Sequence, residues 1–369
     1  MCPVDTCSPL AYRAECYDLF FSDTGGIYMH MADALVSPVV GGVMWAVSAG
    51  AVAYSSSRLR VEADDRKVPL MGVMGAFLFA AQMINFSIPG TGSSGHLGGG
   101  ILLAILLGPH AALLAITSVL MVQALFFADG GLLALGCNIF NMGIIPAFLV
   151  YPLFYRMVRG ENPGTARLTA VIIVSALITL QLGPFSVVLQ TLFSGLSALP
   201  FSTFLLMMQP VHLAIGLVEG LVTAAIVAFV YKARPELLNA VQQKDGFVAY
   251  PLWNLLLGFL VAAIVTGGVV SLFASKNPDG LEWAITKVTG STEVQGQETG
   301  VHTLLTDLQK TVSFLPDYSF RKQSSHESGG GANSETDKSG TSLAGVVGVT
   351  ITLLLLLAGG FIVKRGRTS

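Results

Sequence analysis

Residues 168–193 read LTAVIIVSALITLQLGPFSVVLQTLF, and residues 204–231 read FLLMMQPVHLAIGLVEGLVTAAIVAFVY. The first run has no charged residue and the second has one, Glu219. A helix needs about 20 apolar residues to cross hydrocarbon, and a segment inside lipid must satisfy its own backbone hydrogen bonds. Both runs therefore read as transmembrane helices. The texture continues on either side: 53% of the 369 residues are apolar and 11% are charged, where a water-soluble domain carries roughly a quarter charged. The expected fold class is all-α, a polytopic membrane protein. A formal charge of −2 gives no reason to expect nucleic acid or a strongly acidic partner.

Working outward, nine helices are expected, at about residues 39–54, 70–86, 97–107, 110–127, 132–155, 168–193, 204–231, 252–273 and 343–363. The third reaches only about 16 Å at about 1.5 Å per residue, so it reads either as a crossing or as a half-helix shielded by protein. Basic residues in short loops mark the cytoplasmic side. With nine crossings and an outer amino terminus, the inner segments hold 13 of the 20 Lys and Arg residues, including Arg58, Arg60, Arg156, Arg159, Arg167, Lys232 and Arg234. The short outer loops near Gly90, Asp129 and Ala198 hold none. Merging the third and fourth segments would place Arg156 and Arg159 outside, so both are counted. The carboxyl terminus is then cytoplasmic, and the expected location is the plasma or inner membrane.

The chain divides into a leader at 1–28, a seven-helix body at 29–245 and a two-helix tail at 250–369. The tail holds a long outer loop whose residues 324–342 are Gly, Ser and polar, a composition that suggests a disordered linker. The leader lacks a basic start followed by an apolar run and lacks a small-residue cleavage pattern. It reads as a start placed 28 residues too early. Its three cysteines, Cys2, Cys7 and Cys16, and the distant Cys137 give no zinc spacing or disulfide framework.

The topology brings His30 and His96 to the same outer side although 66 residues separate them. His96 lies in a stretch with six glycines between Gly90 and Gly100, whose backbone can approach another group closely. A loop histidine is either merely solvated or a ligand. If Met29 is the first residue, its free amine, the deprotonated amide of His30 and the His30 imidazole Nδ1 close fused five- and six-membered chelate rings. His96 then completes a square of four nitrogens, suited to Ni(II) or Cu(II) and wrong for tetrahedral Zn(II). With Met29 internal, one ligand is lost.

Other polar residues lie within the helices. His212 and Glu219 are seven apart on one helical face, and ionisable groups there normally face the bundle interior. They read either as gating and supporting groups or as a hydrogen-bonded structural pair. Asn138 and Asn141 share one face, as do Gln82 and Asn85, and such amides commonly bond between helices. Ala46, Ala49, Gly50 and Ala53 form a face of small residues that lets another helix approach closely, within this chain or from a separate subunit. No Walker A lysine motif is present, so any ATP must be hydrolysed by a partner.

The chain resembles the M-type substrate-binding subunits of energy-coupling-factor transporters for cobalt and nickel, the CbiM/NikM family. The resemblance runs over MHMADALVSP from Met29, GSSGHLGGGILLAILLGP from Gly92, FFADGGLLALGCNIFNMG from Phe126 and HLAIGLVEGLVT from His212. NPDGLEWA from Asn277 is similar to the PDGLE module, which accompanies such subunits as an accessory N-type part. The resemblance implies a non-enzymatic transport subunit with Ni2+ or Co2+ as its transported substrate, connected with cobalamin synthesis where cobalt is carried. It implies the Met29 amine, the His30 amide and imidazole, and the His96 imidazole as ligands. It also implies a transmembrane coupling subunit and two ATP-binding subunits as partners. Ala34 and Leu35 stand where the family usually has Gly and an aromatic, while Asp33 is kept and reads as a helix cap or a supporting group.

Two other readings are open to the sequence. A carrier driven by a gradient would work without ATPase subunits. Gly92-Ser93-Ser94-Gly95 matches the G-x-S-G of rhomboid-type intramembrane serine proteases, with His212 as the base, although four-letter matches in a Gly-rich loop are cheap.

Overall fold

A computed structural model describes residues 30–61, 67–160, 164–196, 199–234, 252–290, 300–320 and 334–365. Expectations for the 1–28 leader, for Met29 and for residues 324–333 lie outside the described residues. Helices are α1 Pro38–Val61, α2 Lys67–Gln82, α3 Gly100–Leu107, α4 Pro109–Phe126, α5 Leu135–Arg159, α6 Thr165–Ser194, α7 Phe201–Ala233, α8 Leu252–Gly268, α9 Gly280–Thr289, α10 Gly300–Val312 and α11 Ser334–Arg365. Of these, α1, α4, α5, α6, α7 and α11 are long and apolar enough to cross a membrane. The shorter α2 and α8 are also apolar. The all-α polytopic expectation holds.

Four expectations change in detail. The third segment is eight residues, about 12 Å of helix, and every residue in it is buried. It is a half-helix enclosed by protein, where its short backbone never meets lipid. It still reverses the chain. Gly99 at its start follows His96 by three residues, Gly108 turns at φ +81, and Gln123 near the far end of α4 returns to bond His30. The second helix stops at Gln82, and Phe86–Ile88 instead pairs antiparallel with Ser93–Gly95 as the hairpin β1–β2. Gly90 and Gly92, at φ +79 and +74, make its turn possible. The outer loop of the tail contains α9 and α10. The linker composition at 324–342 gives way to helix from Ser334 onward.

Packing explains why α2 carries so little polar surface. It is buried from Leu70 to Gln82 except at Phe77, because α8 and α11 of the tail flank it on one side and the body covers the other. Gly72 and Gly75 face Leu353, Leu356 and Leu357 of α11. Small residues on one helix let branched residues of another seat closely, which is how helices associate without a hydrophobic driving force. Tail residues Ala263, Leu315, Tyr318, Ala344 and Val349 share one core with Phe79, Val119 and Phe127 of the body. In α5 the backbone winds as a π-helix over Phe140–Arg156, a stretch holding Pro146 and Pro152. Proline lacks an N–H, so the regular ladder is interrupted twice there.

Candidate metal site

His30 opens the described chain and is 4% exposed. The segment after it is fixed by its neighbours rather than by regular structure. Met31 N donates to Asn138 Oδ1 at 3.2 Å, Asn138 Nδ2 donates to Met31 O at 3.2 Å, and Gly131 N donates to Met31 O at 3.1 Å. Asp33 Oδ1 accepts the Ala134 N–H at 2.9 Å. Burial raises the Asp33 carboxyl above its ordinary value, and backbone donors at Ala134 and Leu133 partly offset this. The Gly130-Gly131 pair is required by this approach. A Cβ on Gly130 would lie 2.8 Å from His30 Cβ at φ +84, and one on Gly131 would collide with Asp33.

Two polar groups from α4 and the loop after it face the His30 ring. Its Nε2 lies 3.0 Å from Gln123 Oε1 and 3.8 Å from Asp129 Oδ2. An amide oxygen only accepts, so Nε2 carries the proton and Nδ1 the lone pair. Ligating histidines are commonly held this way through their second nitrogen. The Tyr318 hydroxyl from the tail donates to Asp129 Oδ2 at 2.7 Å. Burial and the adjacent Asp129 push the Tyr318 phenol well above its ordinary value, so it stays a donor.

His96 follows β2 and reaches His30 edge to face, with ring centroids 5.3 Å apart at 77°. Its position depends on Glu219 of α7, whose Oε2 accepts the Gly98 N–H at 2.7 Å and whose Oε1 accepts the Gly99 N–H at 3.1 Å. Gln82 Nε2 donates to Gly98 O at 3.0 Å. Glu219 is thus not paired with His212. The His212 ring bonds Met208 O through Nδ1 at 2.8 Å and lines the cavity instead. About two turns of α7 separate His212, which faces the cavity, from Glu219, which lies under the glycine loop.

The two imidazoles line a cavity of about 100 Å³ together with Asn138, Asn141, Met142 and His212. Asp279, Gly280 and Leu281 of the tail close part of its wall. Asn141 exchanges hydrogen bonds with Gln190, at 2.9 and 3.0 Å, across the helices α5 and α6. Asn138 and Asn141 therefore act separately, one on the Met31 backbone and the other between helices. Asp33 and Glu219 support the cavity without lining it. Ala46, Ala49, Gly50 and Ala53 are all exposed, because the buried side of α1 packs through Ser48, whose hydroxyl donates to Gly136 O at 2.7 Å. The Ser94 hydroxyl donates to Asn277 O at 2.7 Å and not to His212, which removes the protease geometry.

Three residues near the imidazoles were not singled out from the sequence. Gln123 had a signal, since a fully buried amide near the end of an apolar helix needs a partner. Asp129 sits in a motif that marks resemblance without revealing direction. Asp279 lies in the tail, about 180 residues from His96, where local sequence gives no spatial hint. Among the described residues, no three His, Cys, Asp or Glu side chains converge tightly enough to hold a metal ion.

Comparison with known proteins identifies the family. Residues 30–237 match the CbiM family, described as a cobalt uptake substrate-specific transmembrane region, and residues 253–365 match the PDGLE domain. A fused nickel transport protein NikMN of Rhodobacter capsulatus is 34% identical over 57% of this chain and 64% of its own length. A cobalt transport protein CbiM of Sorangium cellulosum is 32% identical over 58% of this chain and 96% of its own. A solved transition metal transporter is 28% identical over 55% of this chain and 93% of that one, with a TM-score of 0.48. This chain belongs to the CbiM family, with a PDGLE domain joined to its C-terminal side.

Proposed function

We propose that this chain is the substrate-capture subunit of an importer for Ni2+ or Co2+, located in the plasma or inner membrane, and that the ion is bound at the end of the bundle opposite its basic loops. The observation that carries the reading is the pair of imidazoles 5.3 Å apart, His30 buried and His96 partly buried, which line one cavity and are held by separate sets of partners. His30 offers Nδ1, the nitrogen a terminal chelate uses. With the mature chain starting at Met29, as we propose, the Met29 amine and His30 amide supply two more nitrogens, and His96 supplies the fourth. Four nitrogens in a plane favour nickel, while the CbiM relatives and the cobalamin connection keep cobalt as the second substrate.

The chain has no motif for ATP, so energy comes from partners of the energy-coupling-factor type, a transmembrane coupling subunit and ATP-binding subunits. Basic residues at Arg58, Arg60, Arg156, Arg159 and Lys232 support a cytoplasmic placement for the end that meets them. The coupling subunit packs on Ala46, Ala49, Gly50 and Ala53, where α1 is uncovered. ATP hydrolysis then reorients this subunit and releases the ion inward.

Uptake of radioactive 63Ni and 57Co by cells carrying the chain with these partners tests the proposal. Uptake that depends on ATP-binding subunits and disappears in His30→Ala and His96→Ala supports it. Equal uptake without those subunits supports a gradient-driven carrier instead.

A further inference from the structure

Asp279 comes from the C-terminal module yet lines the same cavity as His96, and it is 3% exposed. It caps α9: Oδ1 accepts the N–H groups of Leu281 and Glu282, each at 2.9 Å. A cap needs only one carboxylate oxygen. The second, Oδ2, faces Nε2 of His96 at 3.9 Å. The other nitrogen of that ring, Nδ1, bonds the Leu97 carbonyl at 3.2 Å. A carbonyl only accepts, so Nδ1 carries a proton, and in the neutral ring Nε2 holds the lone pair that a metal ion takes. An imidazole nitrogen and a carboxylate oxygen thus face one another at 3.9 Å, farther apart than a hydrogen bond. Bonds of about 2.0–2.2 Å from a divalent ion to imidazole nitrogen and carboxylate oxygen make the gap wide enough for one cation.

The carboxylate and the ring are held on one frame. Ser94, two residues before His96, donates its N–H to Pro278 O at 2.8 Å and its hydroxyl to Asn277 O at 2.7 Å. The Trp283 indole donates to Thr91 O at 3.0 Å. Gly280 lies against His212, where a Cβ would stand 3.0 Å from the ring. A larger residue there would push the turn out of the cavity.

We propose that Asp279 Oδ2 is a ligand to the transported cation held at His96 Nε2, so that the PDGLE module completes the metal site with an oxygen. The proposal rests on the nickel and cobalt reading of the site. A single oxygen added to nitrogen donors moves the site away from the all-nitrogen square that suits Ni(II). Co2+ therefore depends on Asp279 more than Ni2+ does.

Asp279→Asn is the informative variant, because Asn also caps helices well and leaves the turn in place. Purified full-length wild type, Asp279→Asn and His96→Ala are titrated with Co2+ alone and Ni2+ alone, and Co2+-minus-apo infrared difference spectra are recorded for each. Expected are unchanged apo melting for Asp279→Asn, Co2+ binding at least tenfold weaker with a smaller loss for Ni2+, and no high-affinity binding in His96→Ala. Wild-type affinity for both ions in Asp279→Asn, with His96→Ala inactive, overturns the role of Asp279 and leaves the site standing. Wild-type affinity in His96→Ala overturns the site itself. Should Asp279→Asn melt differently, the infrared difference spectra decide: a carboxylate band that shifts when Co2+ binds the wild type and is absent in Asp279→Asn supports the proposal, and identical spectra overturn it.

Discussion

Glu219 of α7 accepts two backbone hydrogen bonds, from Gly98 at 2.7 Å and Gly99 at 3.1 Å, and so fixes the loop that carries His96 from a helix 120 residues away. Hydrogen bonds to a charged acceptor contribute about 1.5–3 kcal/mol each in favourable cases, and an orphaned buried donor costs about 1–3 kcal/mol. Glu219→Ala leaves both N–H groups without that acceptor. Expected are a loss of several degrees in melting temperature in detergent and metal affinity lowered at least tenfold. Glu219→Gln keeps one acceptor oxygen and should lie between the two. A melting curve with a parallel Ni2+ titration checks both.

Gln123→Leu removes the acceptor that sets the His30 tautomer at 3.0 Å. Loss of an outer partner of a metal-bound histidine costs about 10–100-fold in affinity. The apo protein should remain folded, since an apolar side chain suits a helix buried in the bundle. Isothermal titration with Ni2+ measures the change, and unaltered affinity would show that Gln123 does not orient the ring.

At Gly130 the constraint is steric. The residue sits at φ +84, which costs an L-residue about 1–2 kcal/mol, and a Cβ would come within 2.8 Å of His30 Cβ. Gly130→Ala should displace His30 and abolish high-affinity binding while the helical circular dichroism stays within a few per cent of wild type.

The exposed small face of α1 gives a separate test. Ala49→Leu with Ala53→Leu should abolish co-purification with the coupling subunit while Ni2+ binding persists, since neither residue touches the cavity. Unchanged co-purification would place that contact elsewhere.

Binding should also depend steeply on pH. The proposed chelate displaces a proton from the Met29 ammonium and one from the His30 amide, and ligand deprotonation makes metal affinity rise with pH. Below the amine's ordinary pKa of about 7.7–8.0, apparent affinity is expected to rise about a hundredfold per pH unit. A titration at pH 6.0, 6.5 and 7.0 measures the slope, and a slope near zero would contradict displacement of those protons.

The helices were legible because length and apolarity are local properties, and residues such as those of α6 carry the signal alone. Charge at Arg156 and Arg159 went further, since it required the chain to reverse between α3 and α4, as Gly108 does. Convergence of His30 with His96 was legible through topology. The partners were not. Glu219 looked paired with His212 because both share a helical face, but the glycine amides at 98 and 99 compete for the carboxylate and carry no side chain to announce themselves. Asp279 and Tyr318 act from a module far along the chain, and long-range packing of α8 and α11 on α2 sets their place. The hairpin Phe86–Ile88 with Ser93–Gly95 was hidden because three-residue strands are too short for periodicity to show.

Amino-terminal sequencing and metal analysis on one sample of purified protein test the central claim most directly. The account predicts chains beginning at Met29 with one Ni2+ or Co2+ each, and no retained ion in His96→Ala. Chains that keep the leader and still load the ion after His96 is replaced would contradict it.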